Sequence, residues 1–335
     1  MASIPEIPQT VRHEIVAGPA TARRHAQLLA SLGFASALDV TRAPAPLPLG
    51  DSLRVVAWNA QRGREPARAA ELLRASGADV CLLSELDLGM ARSGQTHAAR
   101  ALAGRLGYAS AFGVEFLELG LGDADEQTRH AGQENSRGFH GGAILARADW
   151  VAPELLRLEP GGRWFDGRLG ERRVGSRIAV LGKLPFGGRE LALASVHLES
   201  HSDPDERAAQ LAAVFDRLDE WAPGLPALVG GDVNTHSLSR AELENREALR
   251  AALARDPRRL SDPVPHEPLF ALADARGYEW RAANLRPAAT YKRGGRGALQ
   301  LDWFFARGLA PSDPAVLPSD ELSDHDAIAL SVRLA

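Results

Sequence analysis

Apolar and polar positions along the chain fall into two kinds of segment. Short apolar runs predict buried strands at residues 53–59, 80–84, 112–119, 142–146, 178–184, 191–197, 225–232, 301–306 and 327–334. Longer stretches that mix charged and apolar residues predict helices at 22–32, 65–76, 96–106, 205–221 and 239–255. Gly77 and Gly107 follow two of these stretches, where a helix is expected to end.

The order of these segments predicts an α/β fold of the α+β kind. Several strands follow one another at hairpin spacing, whereas a doubly wound parallel sheet would alternate strands and helices more regularly. We therefore expect two packed sheets with helices outside. Residues 1–50, with a helix and a Pro-rich linker, are expected to form an extension packed on a domain at residues 51–335. Residues 120–137 are predicted to be a polar loop of the kind that carries specificity.

The composition is that of a globular protein, with 335 residues of which 45% are hydrophobic and 24% charged. A net charge of -4 argues against binding long duplex nucleic acid, although a local basic cleft stays open. No apolar run approaches the ~20 residues of a membrane helix, and a secretory signal is not expected. The single cysteine, Cys81, excludes an intramolecular disulfide and favours a reducing compartment, so we expect a cytoplasmic protein. The sequence does not determine the oligomeric state.

The tetrapeptide Gly231-Asp232-Val233-Asn234 is the strongest candidate for chemistry. It ends an apolar run, and an extended backbone points the side chains of Asp232 and Asn234 to the same face. A carboxylate beside a carboxamide suits a site that aligns a water with an electrophile. The same four residues also fit a polar turn with side-chain to backbone hydrogen bonds.

Further polar residues end or follow apolar strands, and each has a structural alternative. They are Asn59, Glu85, His197, Asp302 and the segment Ser323-Asp324-His325. The structural alternative is a turn residue for Asn59, a helix-capping acid for Glu85, a structural histidine for His197 and a polar loop for the segment Ser323-Asp324-His325. Asp302 lies inside an apolar run, where a carboxylate is costly to bury unless it is paired.

Taken in order, these elements resemble the endonuclease/exonuclease/phosphatase superfamily, which has the DNase I-like fold. The resemblance runs from residue 53 to 334 and rests on Trp58-Asn59, Ser84-Glu85, His197-Leu198, Gly231-Asp232-Val233-Asn234 and Ser323-Asp324-His325, with a Gly-rich strand start at 138–145. It implies a four-layer α-β-β-α sandwich. It also implies a metal-dependent hydrolase that cleaves a phosphodiester by in-line attack of an activated water, with nucleases among its relatives.

The resemblance implies a role for each matched position. Glu85 and Asn59 would hold Mg²⁺ or Mn²⁺, with Asp324 near the same ion or a second one, because oxygen ligands suit these cations. Asp232 would orient or deprotonate the attacking water, and Asn234 would fix its geometry.

Other positions would act on the phosphate. His325, oriented by Asp302, would stabilise charge on the phosphoryl oxygens or protonate the leaving group, and His197 would contact the scissile phosphate. On the substrate side the candidates are Arg177, His140 and Glu115. Arg177 could bind phosphate bidentately or be a solvated strand-end arginine, and Glu115 could orient His197.

Two departures from the family pattern bear on the substrate. Gln61 stands where abasic-site endonucleases carry an acid, and the acidic loop at 120–137 is unsuited to tracking a nucleic-acid groove. Three functions stay open: a phosphodiesterase on nucleic acid or a nucleotide-like substrate, a phosphatase or phospholipase-like enzyme on inositol phosphate or lipid headgroups, and a non-catalytic binding module. The intact polar positions argue against the third.

Overall fold

The computed structural model describes residues 3–292 and 299–335. They form four layers, in which two mixed β-sheets pack face to face and helices cover the outer faces. The helices are α1 Gln9–Ala17, α2 Ala22–Ser31, α3 Pro66–Ala75, α4 Ala98–Leu106, α5 Ala124–Arg129, α6 Pro204–Trp221, α7 Arg240–Glu244, α8 Arg246–Arg255 and α9 Leu269–Ala275. The two packed sheets predicted from the sequence are confirmed.

The first sheet has the strand order β1-β4-β5-β3-β2-β13-β12, with the short β7 paired to β4. Its strands are β1 Leu38–Thr41, β2 Leu53–Arg62, β3 Val80–Leu88, β4 Ala109–Glu118, β5 Phe139–Ala146, β7 Arg173–Gly175, β12 Leu309–Leu317 and β13 Ala327–Leu334. Strands β2 and β3 are parallel neighbours, so their carboxyl ends lie at the same edge of the sheet.

The second sheet has the order β11-β10-β9-β8-β6. Its strands are β6 Val151–Arg157, β8 Ile178–Phe186, β9 Arg189–His197, β10 Ala227–Asp232 and β11 Asp302–Arg307. Strands β9 and β10 are parallel, and β10 pairs with β11 in the antiparallel direction. The carboxyl ends of β9 and β10 and the start of β11 therefore meet at one edge.

Both faces of the central strands are buried, which explains why their sequences are continuously apolar. In β2, Val55 and Ala57 point into the layer between the sheets, while Val56 and Trp58 point toward the helix side. Helices α3 and α4 cover the first sheet, and α6 and α9 cover the second. Among the described residues, no helix combines the length and the apolarity that crossing a bilayer requires.

Residues before the main domain contribute to the first sheet and its core. Strand β1 pairs with β4 from Leu38 opposite Gly113 to Thr41 opposite Ser110. Ile15 and Phe34 belong to the same apolar cluster as the helix side of that sheet. The N-terminal segment is thus packed against the sheet, and its edge strand is part of it.

The structure differs from the predicted elements in several places. The segment at 120–137, predicted as a loop, contains α5 with a capping box of Asp123 and Glu126. The single helix predicted at 239–255 is two helices that meet at Asn245. Helices α1 and α9 and strands β1, β6, β7 and β12 were not predicted, because their sequences are short or carry charged and Pro residues.

Candidate active site

The register of the second sheet brings three predicted residues side by side. Asp232, the last residue of β10, lies opposite His197 of β9 on one side and opposite Asp302 of β11 on the other. Across the interface, β2 and β3 carry Asn59 and Glu85 to the same end of the first sheet. The strand ends that the sequence marks with polar residues therefore meet in one place.

Two of the predicted site residues leave the extended conformation. Glu85 has φ 54° and Asn234 has φ 53°, both in the left-handed region that non-glycine residues seldom adopt. The ladder between β3 and β5 is shifted at this point, between Leu83 and Leu86. Such irregularities re-aim side chains at the rim of a sheet, and local strain of this kind clusters at functional sites.

A cavity of about 580 Å³ opens over the strand ends. The predicted residues that line it are Asn59, Glu85, His140, Arg177, His197, Asp232, Asn234, Asp324 and His325. Asp302 and Glu115 do not line it, and both are completely buried. The sequence grouped Glu115 with substrate-side residues. It does not line the cavity itself, but it contacts His197 and Arg177, which do.

Asp232 is held on the cavity floor by its neighbours. Its Oδ2 accepts a hydrogen bond from Asn59 Nδ2 at 3.0 Å, and its Oδ1 accepts one from the backbone N–H of Asn234 at 3.0 Å. The Nε2 atoms of His197 and His325 each lie 3.7 Å from Oδ2. The side-chain amide of Asn234 donates to the Leu198 carbonyl at 2.9 Å, which fixes the turn after the strand.

His325 forms a dyad with the buried Asp302. Nδ1 of His325 donates to Oδ2 of Asp302 at 2.8 Å. Burial alone would lower the pKa of His325, but the carboxylates of Asp302 and Asp232 raise it to about 10. Burial raises the pKa of Asp302. The geometry holds an imidazolium beside Asp232.

A second buried network lies behind His197. Its Nδ1 is 3.2 Å from Oε2 of Glu115, and Arg177 donates both to Glu115 and, at 3.1 Å, to Glu199. Burial would raise the pKa of Glu115, but His197 and Arg177 lower it to about 2. Arg177, whose side chain is only 4% exposed, is therefore not a solvated strand-end residue.

Comparisons with known proteins assign the chain to a family. A model of the Endonuclease/Exonuclease/phosphatase family matches residues 56–325. The chain belongs to this family. Its members are hydrolases that act on phosphoester bonds, so the chain is assigned to that class of enzyme. A search of curated proteins finds no match to the sequence.

Solved structures of the family share the fold at low sequence identity. An endonuclease/exonuclease/phosphatase from Beutenbergia cavernae DSM 12333 is 18% identical with a TM-score of 0.59, over 85% of this chain and 72% of the other. The human Nocturnin catalytic domain with bound sulfate anion is 17% identical with a TM-score of 0.53, over 90% and 98%. A humanized D. rerio TDP2 is 17% identical with a TM-score of 0.52, over 85% and 100%.

The family is generally dependent on divalent metal, and the oxygen donors in this cavity fit such an ion. Glu85 and Asn59 both line the cavity, and Asn59 Nδ2 donates to Oε1 of Glu85 at 3.1 Å. Burial would raise the pKa of Glu85, but Arg62, His140 and His197 hold it well below its usual range. A carboxylate that is ionised at neutral pH suits a hard cation.

A second group of donors lies closer to the histidine side. Asp232, Asp302 and His325 each offer an atom within 4.8 Å of the others. The hydrogen bond between Asp302 and His325 already occupies two of these groups, so we interpret them as a dyad beside a carboxylate. Asp324, which the sequence predicted to lie near a metal ion, lines the cavity next to His325.

His140 is tied to a residue that the sequence did not single out. Its Nδ1 lies 2.8 Å from Oδ1 of Asp87, and Asp87 also receives two hydrogen bonds from Arg92 at 2.9 Å. All three side chains are buried, and His140 borders the cavity. A fixed Nδ1 sets the orientation of the ring toward the cavity.

The charged residues of the site that the sequence did not single out include Arg62, Arg92, Glu126 and Glu171. Arg62 contacts Glu85 at 3.1 Å, Glu126 at 3.3 Å and Glu171 at 3.3 Å, and it lines the cavity. Arg92 contacts the same two loop glutamates, each at 3.1 Å. The only sequence signal was the position of Arg62 close behind Asn59, and nothing in the sequence pairs it with acids so far away.

Proposed function

We propose that the protein is a divalent-metal-dependent phosphodiesterase that cleaves its substrate by in-line attack of water. The observation that carries this proposal is the position of Asp232. Its carboxylate lies between two imidazoles at 3.7 Å and is held by Asn59 and the backbone of Asn234 at 3.0 Å. A general base needs this combination of a fixed carboxylate and space for a water beside it.

In this proposal the bonds change in one displacement. The water oxygen bonds to phosphorus as its proton passes to Asp232, and the bond from phosphorus to the leaving oxygen breaks. His325, kept cationic by Asp302, gives its Nε2 proton to that oxygen. His197 donates to a non-bridging phosphoryl oxygen, where negative charge accumulates. Mg²⁺ or Mn²⁺ held by Glu85 and Asn59, with Asp324 nearby, would supply further charge stabilisation.

The charge balance of the cavity supports a diester over a monoester. The guanidinium groups of Arg62, Arg173 and Arg177 are each paired with buried or half-buried carboxylates. Little positive charge is left over for the second negative charge of a phosphomonoester. A diester carries one negative charge at neutral pH, which the histidines and one metal ion can balance.

The test compares bis(4-nitrophenyl) phosphate with 4-nitrophenyl phosphate in the presence of Mg²⁺ or Mn²⁺. We expect the diester to be the better substrate, and reaction in ¹⁸O-labelled water to place the label on the product phosphate. Preference for the monoester would support the phosphatase alternative. Absence of hydrolysis of any phosphoester, including single-stranded DNA, duplex DNA, RNA and lipid headgroups, would support the binding module.

A further inference from the structure

The N-terminal segment, residues 3–37, packs against two loops that form one wall of the cavity. The first rim loop is residues 119–138, which includes α5, and the second rim loop is residues 158–172. Asp123 of the first loop, together with Trp164, Leu169 and Glu171 of the second, lines the cavity. The matched family range begins at residue 56, so the N-terminal segment lies outside it.

The first rim loop is attached to the N-terminal segment at two points. Arg12 of α1 donates to the carbonyl of Asn135 at 2.7 Å, and Arg137 donates to the carbonyl of Ile4 at 2.8 Å. Asn135 in turn donates to the Gly120 carbonyl at 2.8 Å, which ties together the two ends of the loop. Both Arg12 and Asn135 are buried, so water competes little for these hydrogen bonds.

The second rim loop is attached at the carboxyl end of α1. Arg172 donates to the carbonyls of Val16 at 2.8 Å and Gly18 at 3.2 Å. Carbonyls at a helix end lack partners within the helix, and a guanidinium there also interacts favourably with the helix dipole. His25 of α2 adds a buried contact at 3.0 Å to the backbone of Gly175, just past the loop.

Ion pairs connect both loops to the site. Glu126 of the first loop and Glu171 of the second both contact Arg62, each at 3.3 Å. Arg62 contacts Glu85, the residue proposed to bind metal, at 3.1 Å. The side chains of Glu126, Glu171 and Arg62 are at most 11% exposed, so these pairs are weakly screened.

We propose that the N-terminal segment positions the two rim loops, and thereby shapes the substrate wall and holds Arg62 against Glu85. The segment does not touch the reacting atoms. Its role at the substrate wall rests on the proposed phosphodiesterase function, whereas its role in ordering the loops does not. The acidic first loop is part of this arrangement, because Glu126 is neutralised by arginines and does not face a nucleic-acid backbone.

The test uses the full chain with Arg172→Gln for the second loop and Arg12→Gln for the first. The matched control is Arg24→Gln, because Arg24 donates to carbonyls at the same end of α1, at 2.8 Å to Glu14 and 3.1 Å to Ile15, through contacts that include neither loop. Hydrogen exchange measures the order of each loop. KM and kcat on bis(4-nitrophenyl) phosphate measure its effect on the substrate.

We expect amides of the affected loop to exchange about tenfold faster or more in each variant, with unchanged exchange in β2 and β10. KM should rise about fivefold while kcat stays within about twofold, as expected for a lost binding contribution. Arg172→Lys should recover part of the loss, since an ammonium also donates to carbonyls. Arg24→Gln should leave the loops and KM as in the wild type.

Loop exchange equal to that of the Arg24→Gln control would overturn the proposal. An equal rise of exchange in β2 and β10 would also overturn it, because it would show a general loss of stability. Faster loop exchange with an unchanged KM would contradict the role at the substrate wall. If the wild type hydrolyses no phosphodiester, the proposed function fails, and the exchange data alone decide whether the segment orders the loops.

Discussion

Nδ1 of His325 lies 2.8 Å from Oδ2 of Asp302, and the carboxylate is completely buried behind the imidazole. Asp302 is the first residue of β11 in the second sheet, and His325 precedes β13 of the first sheet. A buried carboxylate without a charged partner would be costly, and the imidazolium offsets part of that cost. The arrangement keeps a cation beside Asp232 without exposing Asp302 to substrate.

Asp302→Asn should reduce kcat on bis(4-nitrophenyl) phosphate by about 10²-fold or more, because the amide no longer stabilises an imidazolium at His325. The measurement is steady-state kinetics, with the fold checked by circular dichroism. Asp320→Asn, at an exposed position, is the control and should retain wild-type kcat. A kcat for Asp302→Asn within threefold of the control would show that Asp302 does not act through His325.

Glu85→Gln should weaken Mn²⁺ binding by about tenfold or more, because the neutral amide is a poorer ligand for a hard cation. Isothermal titration calorimetry measures the affinity, and chelation by EDTA should abolish activity until Mg²⁺ or Mn²⁺ is added. Glu244→Gln is the matched control, since Glu244 is an acid that lines the same cavity but is exposed. Equal Mn²⁺ affinity in both variants would rule out Glu85 as a ligand.

Arg177→Met should lower the free energy of unfolding by about 3–5 kcal/mol, because Glu115 and Glu199 would stay buried without their cation. Urea denaturation measures the change. Arg168→Met is the control, since the Arg168 side chain is 86% exposed and contacts only Asp166 among its charged neighbours within the described chain. A loss no larger than that of the control would mean that water replaces Arg177 in this network.

Acid should destabilise the protein through the buried glutamates whose pKa is lowered in the folded state, among them Glu115 and Glu199. Burial would raise the pKa of Glu199, but Arg177 and hydrogen bonds from His201 and Trp164 lower it to about 2, against a usual value near 4.5. A depressed pKa stabilises the fold above about pH 4.5, and this contribution of about 3 kcal/mol is lost as the pH falls toward 2.

The measurement is the free energy of unfolding in urea between pH 6 and pH 2.5. The wild type should lose stability steadily below about pH 4.5. Glu199→Gln should be less stable at pH 6 and should lose less on acidification, because the group that takes up the proton is gone. Parallel curves for the two proteins would contradict the depressed pKa of Glu199.

The sequence predicted the layered fold and most of the cavity floor, for a physical reason. Strands buried on both faces are continuously apolar, so a polar residue at the end of such a strand is conspicuous. This signal identified Asn59, Glu85, His197 and Asp232. The pairing register of the strands within each sheet then brings them together.

The wall of the cavity could not be predicted, because its residues lie in segments with ordinary polar composition. Glu126 lies in the segment predicted as a polar, acidic loop, yet its side chain is 1% exposed and is held by Arg62 and Arg92. Ion pairs between distant positions leave no periodic signal in one sequence. Glu115 differs, since the family resemblance suggested that it orients His197, and its Oε2 lies 3.2 Å from Nδ1 of that histidine.

The most direct test of the central claim is the kcat of Asp232→Asn with bis(4-nitrophenyl) phosphate at saturating Mg²⁺ and Mn²⁺. Asn preserves the shape and can keep the hydrogen bond from Asn59 or the one from the backbone of Asn234, since it has one accepting oxygen, but it cannot accept a proton from water. The account predicts a fall in kcat of about 10²- to 10⁴-fold with a nearly unchanged KM. A variant that retains more than about a third of wild-type kcat would contradict the assignment of Asp232 as the water-activating base.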